Sequence, residues 1–325
     1  MNKKPVIMSQ NEPLWIAVVS ERLEQWQRLL TTQDRSDIHW VFLDDPDFFA
    51  RAKRCTVMWG DTPVAAQWLP KLPNIRWFHT FYSGVDTLLP VRGALPTDLI
   101  VTNSRDIAGP HIAEYALGQV LAHTRHWATF YEAQKQRQWQ PQDYVTIAEA
   151  KALILGTGAI GATVAQRLAP WFVQVDGLSR SGQPKPGFTQ VLTWGDAALD
   201  LRAYRVIINT LPSTPDTVER LDRAFFTATA GNMLFINVGR GSAVVESDLL
   251  AALDDAPARH AVLDVFRTEP LPAEHPFWRH PQVTVTPHVA AQSQPQWVLP
   301  IVLDNLQRYQ AGHALRNQVD LAAGY

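Results

Sequence analysis

The sequence predicts an α/β protein built as two doubly wound parallel-sheet domains, and three observations carry that expectation. The chain has 325 residues, past the roughly 250–300 at which a single hydrophobic core stops growing. Short apolar runs alternate with helix-length segments from one end to the other, the pattern of parallel strands joined by covering helices. One run, Ala152-Leu153-Ile154-Leu155, opens directly into Gly156-Thr157-Gly158-Ala159-Ile160-Gly161 and then into a helix-length segment. That is the strand–turn–helix setting of a phosphate-binding loop.

In chain order, Trp15–Val19 and His39–Leu43 are aromatic and β-branched runs of strand length, with the helix-length Glu21–Leu30 between them. Thr56–Trp59 and Leu99–Thr102 are the next strands, and His111–His123 the next helix. Arg125–Trp139 is long and polar, and Gln140-Pro141-Gln142 breaks it; it reads as an arm or a solvent-bridging helix, a plain solvated surface helix being the alternative. After Ala152–Leu155, Ile160, Val164 and Leu168 fall at i, i+4 and i+8 on one helix face. Strands then follow at Val173–Leu178, Val206–Thr210, Met233–Val238, Ala261–Val265 and Val283–Thr286, with a helix at Ser247–Leu253. The last helix, Pro295–Gln310, carries Trp297, Ile301 and Leu306 near one side and could return to the first domain.

Composition narrows the function. Lys and Arg number 29 against 31 Asp and Glu, a net charge of −2, which gives no electrostatic footprint for nucleic acid or an anionic membrane. With 46% hydrophobic and 18% charged residues the chain has material for packed cores. The single cysteine, Cys55, excludes an internal disulfide framework and a cysteine-built metal cluster. Met1–Pro13 lacks the apolar stretch of a secretory signal, and no run reaches the roughly 18 residues of a membrane span. A cytoplasmic protein is expected. His123 and His126 are three apart on a helix without a carboxylate partner, so no metal site is expected. Twelve tryptophans are a heavy load for this length.

In the glycine loop, Gly156 would permit the tight turn, Gly158 the close approach of a pyrophosphate and Gly161 the close helix–strand contact. The N–H groups around Ala159 and Ile160 would face the phosphates. The following strand, Phe172–Leu178, ends at Ser179-Arg180-Ser181. An NAD site normally has an acid at that tip for the ribose hydroxyls. Asp176 is the nominal candidate but falls inside the strand, whereas Arg180 offers a fixed cationic fork for a 2′-phosphate. NADPH is the expected cofactor, with NADH weaker; Arg180 as an ordinary surface arginine is the alternative.

Three segments fall at successive strand ends: Asn237-Val238-Gly239-Arg240-Gly241, Arg267-Thr268-Glu269-Pro270 and Thr286-Pro287-His288. Ligands of open α/β sheets sit beyond the carboxyl ends of strands, so Arg240, Glu269 and His288 can converge. Arg240 would grip a carboxylate, His288 would donate a proton near working pH, and Glu269 would orient the ring and favour the imidazolium. His275 and His280 are rivals for the histidine role, although they fall in a loop.

Together these motifs resemble the D-isomer-specific 2-hydroxyacid dehydrogenases over most of the chain. Phe81-Tyr82-Ser83-Gly84-Val85-Asp86 resembles the family's substrate loop, Ala113-Glu114-Tyr115 the start of the helix that links the lobes, and Leu211–Thr217 the loop along the nicotinamide ribose. The resemblance implies two Rossmann-like domains with the active site in the cleft between them: 1–104 with 292–325 as substrate domain, and 105–291 as dinucleotide-binding domain. It implies Arg240 as substrate binder, Glu269 as partner of the histidine and His288 as acid/base. Substrate binding falls to Ser83, Gly84 and Val85 as well. Cofactor contacts extend to Ser179, Ser181, Leu211, Pro212, Thr217, Val238, Gly239 and Asp264. Trp59, Tyr82, Trp139 and Trp297 are expected as aromatic walls of the substrate pocket.

Ser179-Arg180-Ser181, Trp139-Gln140-Pro141 and the tail from Gln318 to Tyr325 are most similar to the glyoxylate/hydroxypyruvate reductase A branch. The expected reaction is reduction of glyoxylate and hydroxypyruvate to glycolate and D-glycerate. A bulkier 2-hydroxy acid and a dinucleotide-sensing role without turnover are the alternatives. A homodimer is implied, with Arg125–Trp139 as contact and Trp139 reaching the partner's pocket.

Overall fold

The computed structural model describes residues 13–324; the readings of Met1–Glu12 and of Tyr325 lie outside them. Two compact units form, one from the described residues up to Ile107 with those from Ser293 onward, the other from Ala108–Gln292. The chain begins with β1 (Leu14–Val19), α1 (Leu23–Thr31), β2 (Ile38–Phe42), α2 (Phe48–Ala52), β3 (Val57–Gly60), α3 (Thr62–Trp68), β4 (Trp77–Thr80) and β5 (Ile100–Thr102). Next come α4 (Arg105–Thr124), α5 (Trp127–Lys135), β6 (Lys151–Leu155), α6 (Ala159–Leu168), β7 (Gln174–Leu178), β8 (Val191–Leu192) and β9 (Val206–Asn209). The remainder is α7 (Arg223–Ala228), β10 (Leu234–Asn237), α8 (Glu246–Asp254), β11 (His260–Leu263), β12 (Val283–Val285) and α9 (Pro295–Gln310).

The first unit holds a parallel five-stranded sheet, β2-β1-β3-β4-β5. Both faces are covered, so alternate side chains feed two separate cores. Ile16, Val18, Val57, Trp59 and Trp77 join Trp26 of α1 and Val298, Val302 and Leu306 of α9. Ala17, Met58 and Phe78 face the opposite core with Phe48, Ala65 and Leu69. Helix α9 thus belongs to the first unit.

The second unit holds a parallel seven-stranded sheet, β12-β11-β10-β9-β6-β7-β8. From β6 the chain moves outward to β7 and β8, then crosses back to β9 on the other side. That reversal makes the carboxyl ends of β6 and β9 a topological switch point, where open α/β sheets bind ligands. The strands divide as in the first unit: Leu153, Ile207, Phe235 and Leu263 pack on one face, Ile154, Ile208, Ile236 and Val262 on the other.

Strand β4 was not expected from sequence. Its four side chains are all buried, and His79 and Thr80 within it break the apolar run that marks other strands. Strand β8 is a two-residue edge, too short to leave a pattern. Helix α4 starts at Arg105 and runs through Pro110, earlier than the expected His111. The arm is helical only at Trp127–Lys135; His126, in the left-handed region at φ 55°, separates it from α4. Among the described residues no helix is long and apolar enough to cross a membrane.

Candidate active site

Between β6 and α6 the glycines do different work. Gly156 sits at φ +97°, where a side chain is strained, and Thr210 Oγ1 donates toward the Leu155 and Gly156 carbonyls at 2.9 and 3.1 Å. A Cβ on Gly161 would lie 2.0 Å from the Gly156 carbonyl oxygen, so only glycine lets the helix sit on the turn. A Cβ on Gly158, the residue that caps α6, would meet nothing within 4 Å. Open space therefore lies where Ala159, Ile160 and Gly161 begin a ten-residue helix. Helix starts leave N–H groups unpaired, so the cradle fits a pyrophosphate.

Past β7, Ser179 Oγ accepts from the Gly182 N–H at 3.1 Å, and Ser181 Oγ from that of Gln183 at 3.4 Å. Arg180 is exposed and its Nη1 lies 3.5 Å from Asp216 Oδ2. Asp176 is buried in β7, where its Oδ2 accepts from Tyr204 and Gln174, both at 2.7 Å, and from Gln190 at 3.1 Å. Those core bonds account for its position inside the strand.

Neighbouring strands β9, β10, β11 and β12 deliver the other loops at their carboxyl ends. Asn209 Nδ2 donates to Asn237 Oδ1 at 2.9 Å across the β9–β10 pair. Asn209 Oδ1 accepts the Leu211 N–H at 3.1 Å, while Asn237 Oδ1 accepts that of Gly239 at 3.3 Å. Thr217 Oγ1 closes the first loop by donating to the Pro212 carbonyl at 2.6 Å. Sequence reasoning passed over both asparagines; the shared Ile-Asn strand ending was the available signal. A Cβ on Gly239 would clash with the Leu211 backbone and one on Gly241 with that of Phe266. The two glycines thus bring three loops together around Arg240. Val238, between them and the strand, is buried.

His288 follows β12 and Glu269 follows β11, and His288 Nδ1 donates to Glu269 Oε2 at 2.7 Å. A carboxylate only accepts, so Nδ1 carries the proton and Nε2 is the nitrogen that can serve a substrate. Glu269 Oε1 accepts the Phe266 N–H at 2.9 Å. The bond to Glu269 raises the His288 pKa; burial and Arg240 oppose it and Asp264 assists. Burial alone would raise Glu269, but its bonds from His288 and Phe266, with the Arg240 charge, hold it below its ordinary value. Arg240 Nη1 donates to the Gly239 carbonyl at 2.7 Å. The rivals point elsewhere: His275 faces Glu246 at 3.4 Å and His280 faces Asp254 at 3.3 Å.

Two of the expected site residues, Asp264 and Trp59, have buried side chains. Asp264, expected at the cofactor, is buried beneath the His288 turn. There its carboxylate accepts from Thr286 Oγ1 at 2.6 Å and from the Val289 and Ala290 N–H groups at 2.9 Å each. Trp59, expected as a pocket wall, is wholly buried in the first unit, packed between Trp40 and Trp77. The strand that carries it has both faces covered, so its alternate side chains all enter cores.

In the first unit, the loop Tyr82-Ser83-Gly84-Val85 is held by its carbonyls and one side chain. Asn103 Nδ2 donates to the Ser83 carbonyl at 2.7 Å and Thr62 Oγ1 to that of Gly84 at 3.2 Å, while the Val85 side chain is buried. Beneath it, His79 is fully buried, with Nδ1 2.7 Å from Thr102 Oγ1 and Nε2 3.1 Å from Ser104 Oγ. Burial pushes its pKa down to about 3, so the imidazole is neutral. Trp297 is half-exposed on α9, and Trp139 is 97% exposed in the arm.

Comparison with known proteins adds a family to this geometry. Residues 117–290 match the model of the NAD-binding domain of D-isomer specific 2-hydroxyacid dehydrogenases. Glyoxylate/hydroxypyruvate reductase A of Serratia proteamaculans is 37% identical, the match covering 97% of each chain. A D-isomer specific 2-hydroxyacid dehydrogenase family protein from Aeromonas salmonicida superposes with a TM-score of 0.86 at 34% identity, over 95% of this chain and 100% of that one. The NADPH-dependent glyoxylate/hydroxypyruvate reductase of Sinorhizobium meliloti, solved with NADP and sulfate, gives 0.83 at 30% identity, over 96% and 100%.

Proposed function

The chain belongs to the D-isomer specific 2-hydroxyacid dehydrogenase family, an NAD(P)-dependent oxidoreductase, and on that premise we propose that it reduces small 2-keto acids, glyoxylate and hydroxypyruvate, with NADPH preferred. The observation that carries the proposal is the 2.7 Å bond of His288 Nδ1 to Glu269 at the strand ends that also present Arg240. The products are glycolate and D-glycerate. The named activity of the Serratia relative and the NADP held by the Sinorhizobium enzyme support it.

When bound, the reduced nicotinamide supplies the hydride. Gly156, Gly158 and the α6 N–H groups of Ala159–Gly161 would hold its pyrophosphate, and Arg180 with Ser179 and Ser181 its 2′-phosphate. The loop Leu211–Thr217 and the Val238–Gly239 backbone would line its nicotinamide end. Arg240 would clamp the substrate carboxylate, and the Ser83, Gly84 and Val85 N–H groups are proposed as substrate contacts on the strength of the family resemblance. His288 passes the proton on Nε2 to the keto oxygen as that oxygen gains charge, and Glu269 stabilises the imidazolium beforehand. The working form is a cytoplasmic homodimer in which Trp139 closes the partner's pocket.

The test follows NADPH and NADH oxidation with 2-keto acids of increasing size. Highest kcat/KM for glyoxylate or hydroxypyruvate with NADPH is expected. Equal efficiency with NADH removes the role of Arg180, and a maximum at a bulky keto acid overturns the substrate assignment. Oxidation with none of them favours a dinucleotide sensor.

A further inference from the structure

We infer that Tyr115 and Thr286 are positioning residues for His288, acting through the buried carboxylate of Asp264. This inference rests on the reading of His288 as the proton donor. Tyr115 lies on α4 and its hydroxyl oxygen is 2.7 Å from Thr286 Oγ1. Thr286 Oγ1 in turn donates to Asp264 Oδ1 at 2.6 Å. The direction of the chain is settled by chemistry. A carboxylate only accepts and the threonine hydroxyl has one proton, so Thr286 spends it on Asp264 and must accept from Tyr115.

Asp264 grips the turn that carries His288 from both sides. Its oxygens accept the N–H groups of Val289 and Ala290, and its backbone carbonyl accepts that of His288 at 2.9 Å. His288 itself sits in the left-handed region at φ 53°. A non-glycine residue stays there only where its surroundings over-determine the backbone. The three-residue chain supplies that determination from beneath, while Glu269 holds the imidazole from the side. Burial raises the Tyr115 pKa to about 12, so its hydroxyl stays protonated and donating throughout the working range.

A role in positioning separates from a role in packing through the hydroxyls. The charged groups facing His288 are Glu269, Arg240 and Asp264, and all three are retained in Thr286→Val, Thr286→Ser and Tyr115→Phe. In the full-length protein, Thr286→Val and Tyr115→Phe loosen the turn and lengthen the bond to Glu269. The titration midpoint of the His288 imidazole, read by NMR, then falls toward that of free histidine. The kcat for the keto acid drops about tenfold, its alkaline limb moves to lower pH, and NADPH affinity by tryptophan fluorescence is unchanged. Thr286→Ser, which keeps the hydroxyl and loses a methyl, restores the titration and most of the rate.

Wild-type titration in both Thr286→Val and Tyr115→Phe overturns the inference. So does a Thr286→Ser protein as impaired as Thr286→Val, since that assigns the effect to the methyl. Should Thr286→Val fail to fold, Tyr115→Phe, which removes one oxygen from a half-buried ring, decides the matter with the same readouts. The NMR titration needs no substrate, so it stands apart from the proposed reaction. A shifted midpoint in a chain that reduces no keto acid defeats the reaction and leaves the positioning role intact.

Discussion

As the proposed proton donor, His288 would owe its strength as an acid to one bond. Glu269 accepts from Nδ1 and raises the pKa of the ring, against burial and the Arg240 charge. The proposed reduction would consume the imidazolium, so its kcat/KM should hold at low pH and fall as pH rises through this elevated pKa, and oxidation of the hydroxy acid should rise through the same value. Glu269→Gln keeps an acceptor but removes the charge. The alkaline limb of reduction should then move to lower pH, with kcat/KM down about 100-fold. A pH–rate profile whose limb stays in place would show that another group sets it. The pairing of Glu269 with His288 was legible in the sequence, because polar residues in the loops just past neighbouring strand ends have few packing explanations. The burial of the Asp264 and Trp59 side chains was not legible, because the same strand-end position serves equally to hold a turn or fill a core. Only the bonds from Thr286, Val289 and Ala290, and the rings of Trp40 and Trp77, separate those uses.

At the scale of the element, the β6–turn–α6 unit shows how one motif divides between folding and binding. Ala at position 161 places a Cβ 2.0 Å from the Gly156 carbonyl oxygen, so helix and turn must part. Gly161→Ala should cost about 1–3 kcal/mol and lower Tm together with NADPH binding. Ala at position 158 meets no protein atom within 4 Å. Gly158→Ala should keep Tm near wild type and weaken NADPH binding about tenfold or more, since the methyl stands where the pyrophosphate would sit. Equal Tm losses in the two variants, in a thermal melt without cofactor, would sink this division. Most strands were legible as apolar runs, since both faces of each sheet are covered. Strand β4 escaped because its His79 and Thr80 are bonded inside the core: His79 to Thr102 and Ser104, and Thr80 Oγ1 to Thr62 Oγ1 at 2.7 Å. A hydropathy pattern cannot see a polar group whose partners lie on other elements: Thr102 on β5, Ser104 just before α4 and Thr62 on α3.

For the whole molecule, the arm after α4 is the part that the isolated chain leaves unexplained. Trp127, Phe130 and Tyr131 fall at i, i+3 and i+4 on α5, so their exposed rings share one face. Trp139, Tyr144 and Val145 are exposed just beyond. Apolar groups gathered this densely on a surface mark an interaction site rather than ordinary exposure, and the proposed second copy would cover them. Tyr131→Asp places a charge in the middle of that face and should convert a dimer to a monomer in sedimentation velocity. Trp139→Ala should leave the dimer and NADPH affinity intact while raising KM for the keto acid several-fold, because its ring would act in the partner's pocket and not in the fold of its own chain. A wild-type chain that sediments as a monomer at micromolar concentration removes the partner from this account. A dimer whose Trp139→Ala variant keeps the wild-type KM retains the interface and confines Trp139 to its surface.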